Sequence, residues 1–249
     1  RATQGASLSW SVVKESLGSS TDASNIEYQI YQNGTNVAQT TSTSYSVTGL
    51  TNGTTYSFTV SAKNTSTGIE GAQSGAETVT PRYRGPKWYV AASDGKSLSD
   101  TTTNYDLGSS SSPINHLSNG IEIAAAGDTI VMMKGTHTGS NNRGINENGN
   151  KSFIIMGDPD YSADQTIIDA GARDRHFTFD NNEDTTYQII GLTLYNGKTT
   201  SSGGGSIKIE SAAVKLKNVI FKENYSTGGD WATSGAVFIS NNGKTIIDG

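Results

Sequence analysis

Apolar residues recur at every second position in short stretches from the start of the chain. Leu8, Trp10 and Val12 share one parity, and so do Ile26, Tyr28 and Ile30. That period puts side chains on one face of a strand. Asn33-Gly34 follows as a tight-turn signal. Tyr45 with Val47, then Tyr56, Phe58, Val60 and Ala62, and last Val79 before Pro81, continue the alternation. Strands and turn residues at this spacing predict a β-sandwich over residues 1–80. Residues 81–87, PRYRGPK, read as a short, semi-rigid linker, because two prolines fix the backbone on either side of a glycine.

The grammar changes at Trp88. Ile114, Leu117 and Ile121 fall at helical spacing ahead of Ala124–Ala126, which predicts a helix near 113–126. Ser112-Pro113 would start it and Gly127 would stop it. Short apolar segments follow, each bounded by Gly, Asn, Asp or Ser. They are 129–133, 153–156, 167–168, 177–179, 189–194, 207–209, 214–216, 219–221, 237–239 and 246–247. Several of them repeat. GLTLYN from Gly191 returns as NVIFKEN ending at Asn224, with Leu192 and Val219 27 residues apart. GGSIKI from Gly204 returns as SGAVFI from Ser234, 30 residues on, and TIIDAG from Thr166 returns as TIIDG from Thr245. A strand–turn–strand unit of this size cannot bury its own inner face, but stacked units can. Residues 88–249 are therefore expected to start a β-helix, with Ile207, Ile209, Val237 and Ile239 stacked inward in successive coils.

Two family resemblances rest on these residues. Leu50, Gly53 and Tyr56 are similar to the tyrosine-corner pattern of fibronectin type III domains, and Trp10 to that family's core tryptophan. The resemblance implies that the Tyr56 hydroxyl bonds backbone at the bend. WYVAASDG from Trp88, the predicted helix, and AAAGDTIVMMKGTHTG from Ala124 resemble the cap and first coil of the pectin-lyase-like right-handed parallel β-helix. There the helix would plug the open end with Ile114, Leu117 and Ile121. The GGSI and FKEN elements resemble repeats of polymorphic outer-membrane and related bacterial surface proteins. The expected fold class is all-β: a fibronectin-III-like β-sandwich followed by a capped right-handed parallel β-helix, as a piece of something longer.

Composition narrows the partners. Charged residues make up 16% of the 249, with a formal charge of −5. An ordinary soluble domain carries roughly 25%. Low charge with abundant Thr, Asn and Gly fits a secreted or surface β protein. The acidic balance argues against nucleic acid, which needs a basic patch, and no apolar run is long enough for membrane insertion as a helix. Cysteine is absent, which removes disulfides, thiolate catalysis and cysteine-ligated metals. The rest of its own longer chain, a glycan or another surface protein are the expected partners.

Candidate chemistry is sparse. Asp158, Asp160 and Asp164 offer closely spaced oxygens that could hold Ca²⁺, but no EF-hand pattern surrounds them and a turn is the simpler reading. Arg173, Arg175 and His176 form a cation cluster, with Asp169 nearby. The lyase resemblance implies that Arg173, Arg175 and Asp169 would imitate a base and charge-neutraliser set. The bland alternative puts Arg175 and His176 at a strand start, paired with Asp174 or Asp180 at the surface. Sugar rings stack on exposed aromatics, and Tyr161, Tyr187, Tyr195, Tyr225 and Trp231 are candidates. Trp231, Tyr195 and Tyr225 are preferred, with no residue assigned a catalytic role. The functional expectation is a structural or adhesive part of a large secreted or cell-surface bacterial protein. The alternative is the non-catalytic N-terminal part of a carbohydrate-active enzyme such as a polysaccharide lyase.

Overall fold

The structure, a computed structural model, describes residues 4–12, 25–148, 151–180, 186–201, 203–228, 235–241 and 243–248. The chain divides into two compact units, Arg1–Arg84 and Gly85–Gly249. The segment read as a linker is thus split between them, and Lys87 already belongs to a strand.

Among the described residues the first unit holds six strands: β1 (Ala6–Ser9), β2 (Ile26–Gln32), β3 (Thr35–Thr40), β4 (Ser44–Val47), β5 (Tyr56–Asn64) and β6 (Glu77–Val79). They form two antiparallel sheets, β1-β4 and β3-β2-β5-β6. Asn33 and Gly34 both take positive φ, 50° and 81°, which makes the two-residue turn between β2 and β3. Ala6, Val47, Leu50 and Phe58 form one buried cluster between the sheets. The Thr51 N–H donates to the Tyr56 hydroxyl at 3.0 Å, as the tyrosine-corner resemblance implied. Trp10 lies just past β1, edge-on to Tyr28 at 5.4 Å between ring centroids.

The second unit is a parallel β-solenoid. Its strands are β7 (Lys87–Val90), β8 (Thr129–Met132), β9 (Gly135–His137), β10 (Ile145–Glu147), β11 (Ile154–Gly157), β12 (Thr166–Asp169) and β13 (Phe177–Asp180). They continue with β14 (Thr186–Ile190), β15 (Thr193–Tyr195), β16 (Lys198–Thr199), β17 (Ile207–Glu210), β18 (Ala213–Lys217), β19 (Ile220–Lys222), β20 (Tyr225–Ser226), β21 (Val237–Ser240) and β22 (Lys244–Asp248). The faces are the sheets β22-β18-β14-β11-β8-β7, β19-β15-β12-β9 and β10-β13-β17-β21, with the short pair β16-β20 between the second and third faces along the chain. The expected run 189–194 is two strands, because Gly191 takes φ 63° and turns the chain between β14 and β15.

Register stacks like on like. Trp88, Ile130, Ile155, Ile189, Leu216 and Ile247 form one row. Ile145, Phe177, Ile207 and Val237 form a second, and His137, Ile168, Leu194 and Phe221 a third. Ile207 and Ile209 are fully buried, as expected, whereas Ile239 on the last described rung of that sheet is 42% exposed. Each Å² of apolar surface buried in these rows contributes roughly 25 cal/mol.

The cap helix α1 (Leu117–Ile123) is shorter than the predicted 113–126. Ile114 is bridged to Val90 in extended backbone, so Pro113 precedes the helix without starting it. The buried Asn142 side chain caps α1 from outside, accepting from the Leu117 N–H at 2.8 Å. Ile114, Leu117 and Ile121 are all buried, so they serve as the plug. A Cβ at Gly120 would meet Ile130 and Val90 at 3.1 Å, so the helix lies close on the first strands. Below it the Trp88 indole N–H donates to Asp128 Oδ2 at 2.9 Å, and the same oxygen accepts the Ala125 N–H at 2.8 Å.

Candidate functional site

The turn after β15 and the turn after β19 are copies of one another. Asn196 and Glu223 occupy the same place and both take left-handed φ, 58° and 54°. The repeat therefore brings Tyr195 beside Lys222 and Lys198 beside Tyr225 in register. In each pair the lysine ammonium lies 5.5 Å from the centroid of the neighbouring coil's ring. The two rungs mirror each other: Tyr then Lys on one coil, Lys then Tyr on the next. Tyr225 is 40% exposed. The Tyr195 hydroxyl donates to Glu223 Oε2 at 3.0 Å, and the facing carboxylate holds its pKa above the usual tyrosine value.

The corner is locked from beneath. Asn224 Oδ1 accepts the Gly197 N–H at 2.7 Å and its Nδ2 donates to the Leu194 carbonyl at 2.8 Å. A Cβ at Gly197 would lie 2.4 Å from the Gly205 carbonyl and 2.7 Å from Asn224 Oδ1, so no other residue fits there. Asn224 also opens an Asn-x-Ser triplet, Asn224-Tyr225-Ser226. Its amide is committed to this turn on both sides.

Next to the rungs, Ala172, Arg173, Asp174, Lys198, Thr199, Thr200 and Ser201 line a polar cleft. Arg173 is at the rim, exposed. Arg175 and His176 are not at the surface: they are 7% and 0% exposed. This corrects the surface-pair expectation for both. Arg175 Nη2 donates to Thr199 Oγ1 at 2.9 Å and Ser201 Oγ at 3.0 Å. Burial pushes the Arg175 pKa down, partly offset by Asp174 and Glu210. The His176 ring sits between the Ile168 carbonyl at 2.9 Å and the Ser206 hydroxyl at 3.0 Å. Burial pushes its pKa down to about 4, so the ring is neutral at pH 7. The lyase-like trio is thus dispersed. Arg173 is exposed at the rim, Arg175 is a buried strut, and Asp169 Oδ1 accepts the Gly171 N–H at 2.7 Å.

The remaining sequence candidates separate. Tyr187 is fully buried, 4.6 Å from Phe179 and 5.1 Å from Phe153 by ring centroids, so it is a core residue and not a sugar platform. Tyr161 is exposed under the Lys134 ammonium, in the turn that follows β11. Trp231 lies outside the described residues. Among the described residues no group of three or more His, Cys, Asp or Glu side chains could hold a metal ion. Asp158 Oδ1 accepts the Asp160 N–H at 3.2 Å, and Asp164 accepts the Ser162 hydroxyl, which is a self-bonded turn.

Comparison with known proteins adds the following. Residues 1–76 match the fibronectin type III domain. The chain is 28% identical over 227 residues to chitinase Chi52 of Paenibacillus xylanexedens, covering 85% of this chain and 40% of that protein. It is 28% identical over 226 residues to chitinase D of Niallia circulans, with the same coverage. The chain therefore spans about two fifths of the length of these relatives. Among solved structures, a family 28 exopolygalacturonase of Yersinia enterocolitica superposes with a TM-score of 0.32 and 12% identity, over 90% of this chain and 54% of that one. The chain is a fibronectin type III domain followed by a β-solenoid. Among the described residues no helix is long and apolar enough to cross a membrane.

Proposed function

We propose that this chain is the non-catalytic, glycan-contacting region of a secreted polysaccharide-directed protein. The sandwich is the spacer, and the solenoid corner at Tyr195, Lys198, Lys222 and Tyr225 is the contact surface. The observation that carries this reading is the mirrored pair of Tyr–Lys rungs at a corner fixed by Asn224 and Gly197. A ring backed by a cation presents its other, flat apolar face to a pyranose, while Lys and Glu meet its hydroxyls. The sequence likeness to two chitinases supports a polysaccharide as the partner and an extracellular site of action. The burial of Arg175 and His176 supports a binding role over catalysis, since a base must reach the proton it abstracts.

A glycan array followed by titration tests this. Tyr225→Ala is expected to weaken binding by about tenfold, the size of one lost ring contact. Tyr161→Ala, in the turn after β11, is expected to leave it unchanged. Equal binding by both variants would sink the assignment, and turnover of any bound glycan would show that the region is catalytic. Trp231→Ala belongs in the same panel, because Trp231 joins the surface only if binding falls.

A further inference from the structure

The cleft beside the rungs has a fixed hydrogen-bond polarity. Thr199 Oγ1 accepts from Arg175 Nη2 at 2.9 Å and from the Ser201 N–H at 3.1 Å. A hydroxyl oxygen has two lone pairs, so both are taken. The Thr199 hydroxyl must therefore donate, and Ser201 Oγ lies 2.8 Å away. Ser201 Oγ then accepts from Thr199 and, at 3.0 Å, from Arg175 Nη2. Its own lone pairs are also filled. What remains of Ser201 is one outward O–H that can only donate.

Two cationic groups of the lining point the same way. The guanidinium of Arg173 and the ammonium of Lys198 are donors without acceptor capacity. Asp174 adds a carboxylate to the lining, and its Oδ1 accepts the Arg175 N–H at 2.8 Å. Counting Arg175 beneath the floor together with the Asp174 and Glu210 carboxylates that act on it, the formal charge is 3 − 2 = +1. A cleft whose rim carries the Arg173, Lys198 and Ser201 donors and a positive balance suits an acceptor-only, negatively charged group.

We propose that the Arg173–Lys198–Ser201 cleft binds an oxyanion, a carboxylate or a sulfate ester, carried on a sugar whose ring rests against the Tyr–Lys rungs. This rests on the glycan-contacting reading above and names the class of glycan. Lys198 belongs to both features, since it covers Tyr225 and lines the cleft.

The test is calorimetric titration of the whole chain at low ionic strength with four probes: pentagalacturonate, a chondroitin sulfate hexasaccharide, chitopentaose and inorganic sulfate. An acidic oligosaccharide is expected to bind at least about tenfold tighter than chitopentaose, and to weaken with salt. Arg173→Gln is expected to cost that preference, and Ser201→Ala to cost about three- to tenfold. Tighter galacturonate assigns a carboxylate, and tighter chondroitin sulfate a sulfate. Chitopentaose binding equally well, with Tyr225→Ala still harmful, would overturn the oxyanion cleft and leave the glycan reading standing. Sulfate binding lost in Arg173→Gln, with no oligosaccharide bound, would keep the oxyanion pocket and overturn its sugar. No binding of any probe would overturn both.

Discussion

Asn224 is the place where the corner can be taken apart with one substitution. Its side chain makes two hydrogen bonds to backbone of the preceding coil, 2.7 Å from the Gly197 nitrogen and 2.8 Å to the Leu194 oxygen. Asn224→Ala deletes both. A net hydrogen bond contributes about 1 kcal/mol, and a buried group left without its partner costs about 1–3 kcal/mol. Asn224 is half-buried, so water reaches the vacated groups in part. The expected loss is therefore about 2–3 kcal/mol. Asn224→Asp keeps the acceptor for Gly197 and loses the donor to Leu194, so it should fall about halfway. Urea unfolding followed by emission in a Trp10→Phe, Trp231→Phe background, where Trp88 is the remaining tryptophan, measures the loss in the solenoid, and hydrogen exchange at the Gly197 amide measures the bond itself. A change under about 0.5 kcal/mol in Asn224→Ala, with the Gly197 amide as protected as before, would refute the reasoning, since that is the scatter of ordinary surface substitutions.

Two further outcomes follow from the buried polar groups. The unfolded His176 titrates near 6.5 but the folded ring only near about 4, so the unfolded state takes up protons first as pH falls. Stability from this group is complete above pH 6.5 and is lost between there and about 4, by about 3 kcal/mol at most. Burial lowers the His137 pKa as well, so it adds in the same direction. His176→Asn should flatten the curve, and an unchanged pH profile of unfolding would contradict the assignment. At the cap, Asp128→Ala removes the acceptor of both the Trp88 indole and the Ala125 N–H, and should cost about 2–3 kcal/mol with a red-shifted Trp88 emission. An unmoved emission spectrum would place Trp88 outside that contact.

Much of the fold was legible because a solenoid repeats its grammar. Leu192 with Val219, and Ile207 with Val237, marked the coil length, and period-two alternation marked the inner face. Short strands such as β9, β16 and β20 escaped, because two or three residues carry no alternation to read. Tyr187 was misread although its signal was present: it shares parity with Ile189 and therefore faces the core. The burial of Arg175 was not legible. Its acceptors, Thr199 and Ser201, lie a full coil further along and reach it only after stacking. The Tyr–Lys rungs were half legible. Tyr195 and Tyr225 were singled out one by one, but the lysines that cover them come from the opposite copy of the repeat.

The mirrored rungs have a consequence for how such a surface could grow. Tyr195 and Lys222, like Lys198 and Tyr225, are separated by one coil of sequence, 27 residues. Each coil touches only its neighbours, so inserting a duplicate of the two-coil pair asks nothing of the cap. Because the rungs alternate, the pair and not the single coil is the unit that keeps Tyr beside Lys, and it adds two steps of about 4.8 Å, the spacing of paired strands. Each insertion would lengthen the Tyr–Lys column by two steps, and a polymer lying along it would meet more contacts. Avidity for a long chain could then be set by gene duplication alone, with the chemistry of the single rung left as it is.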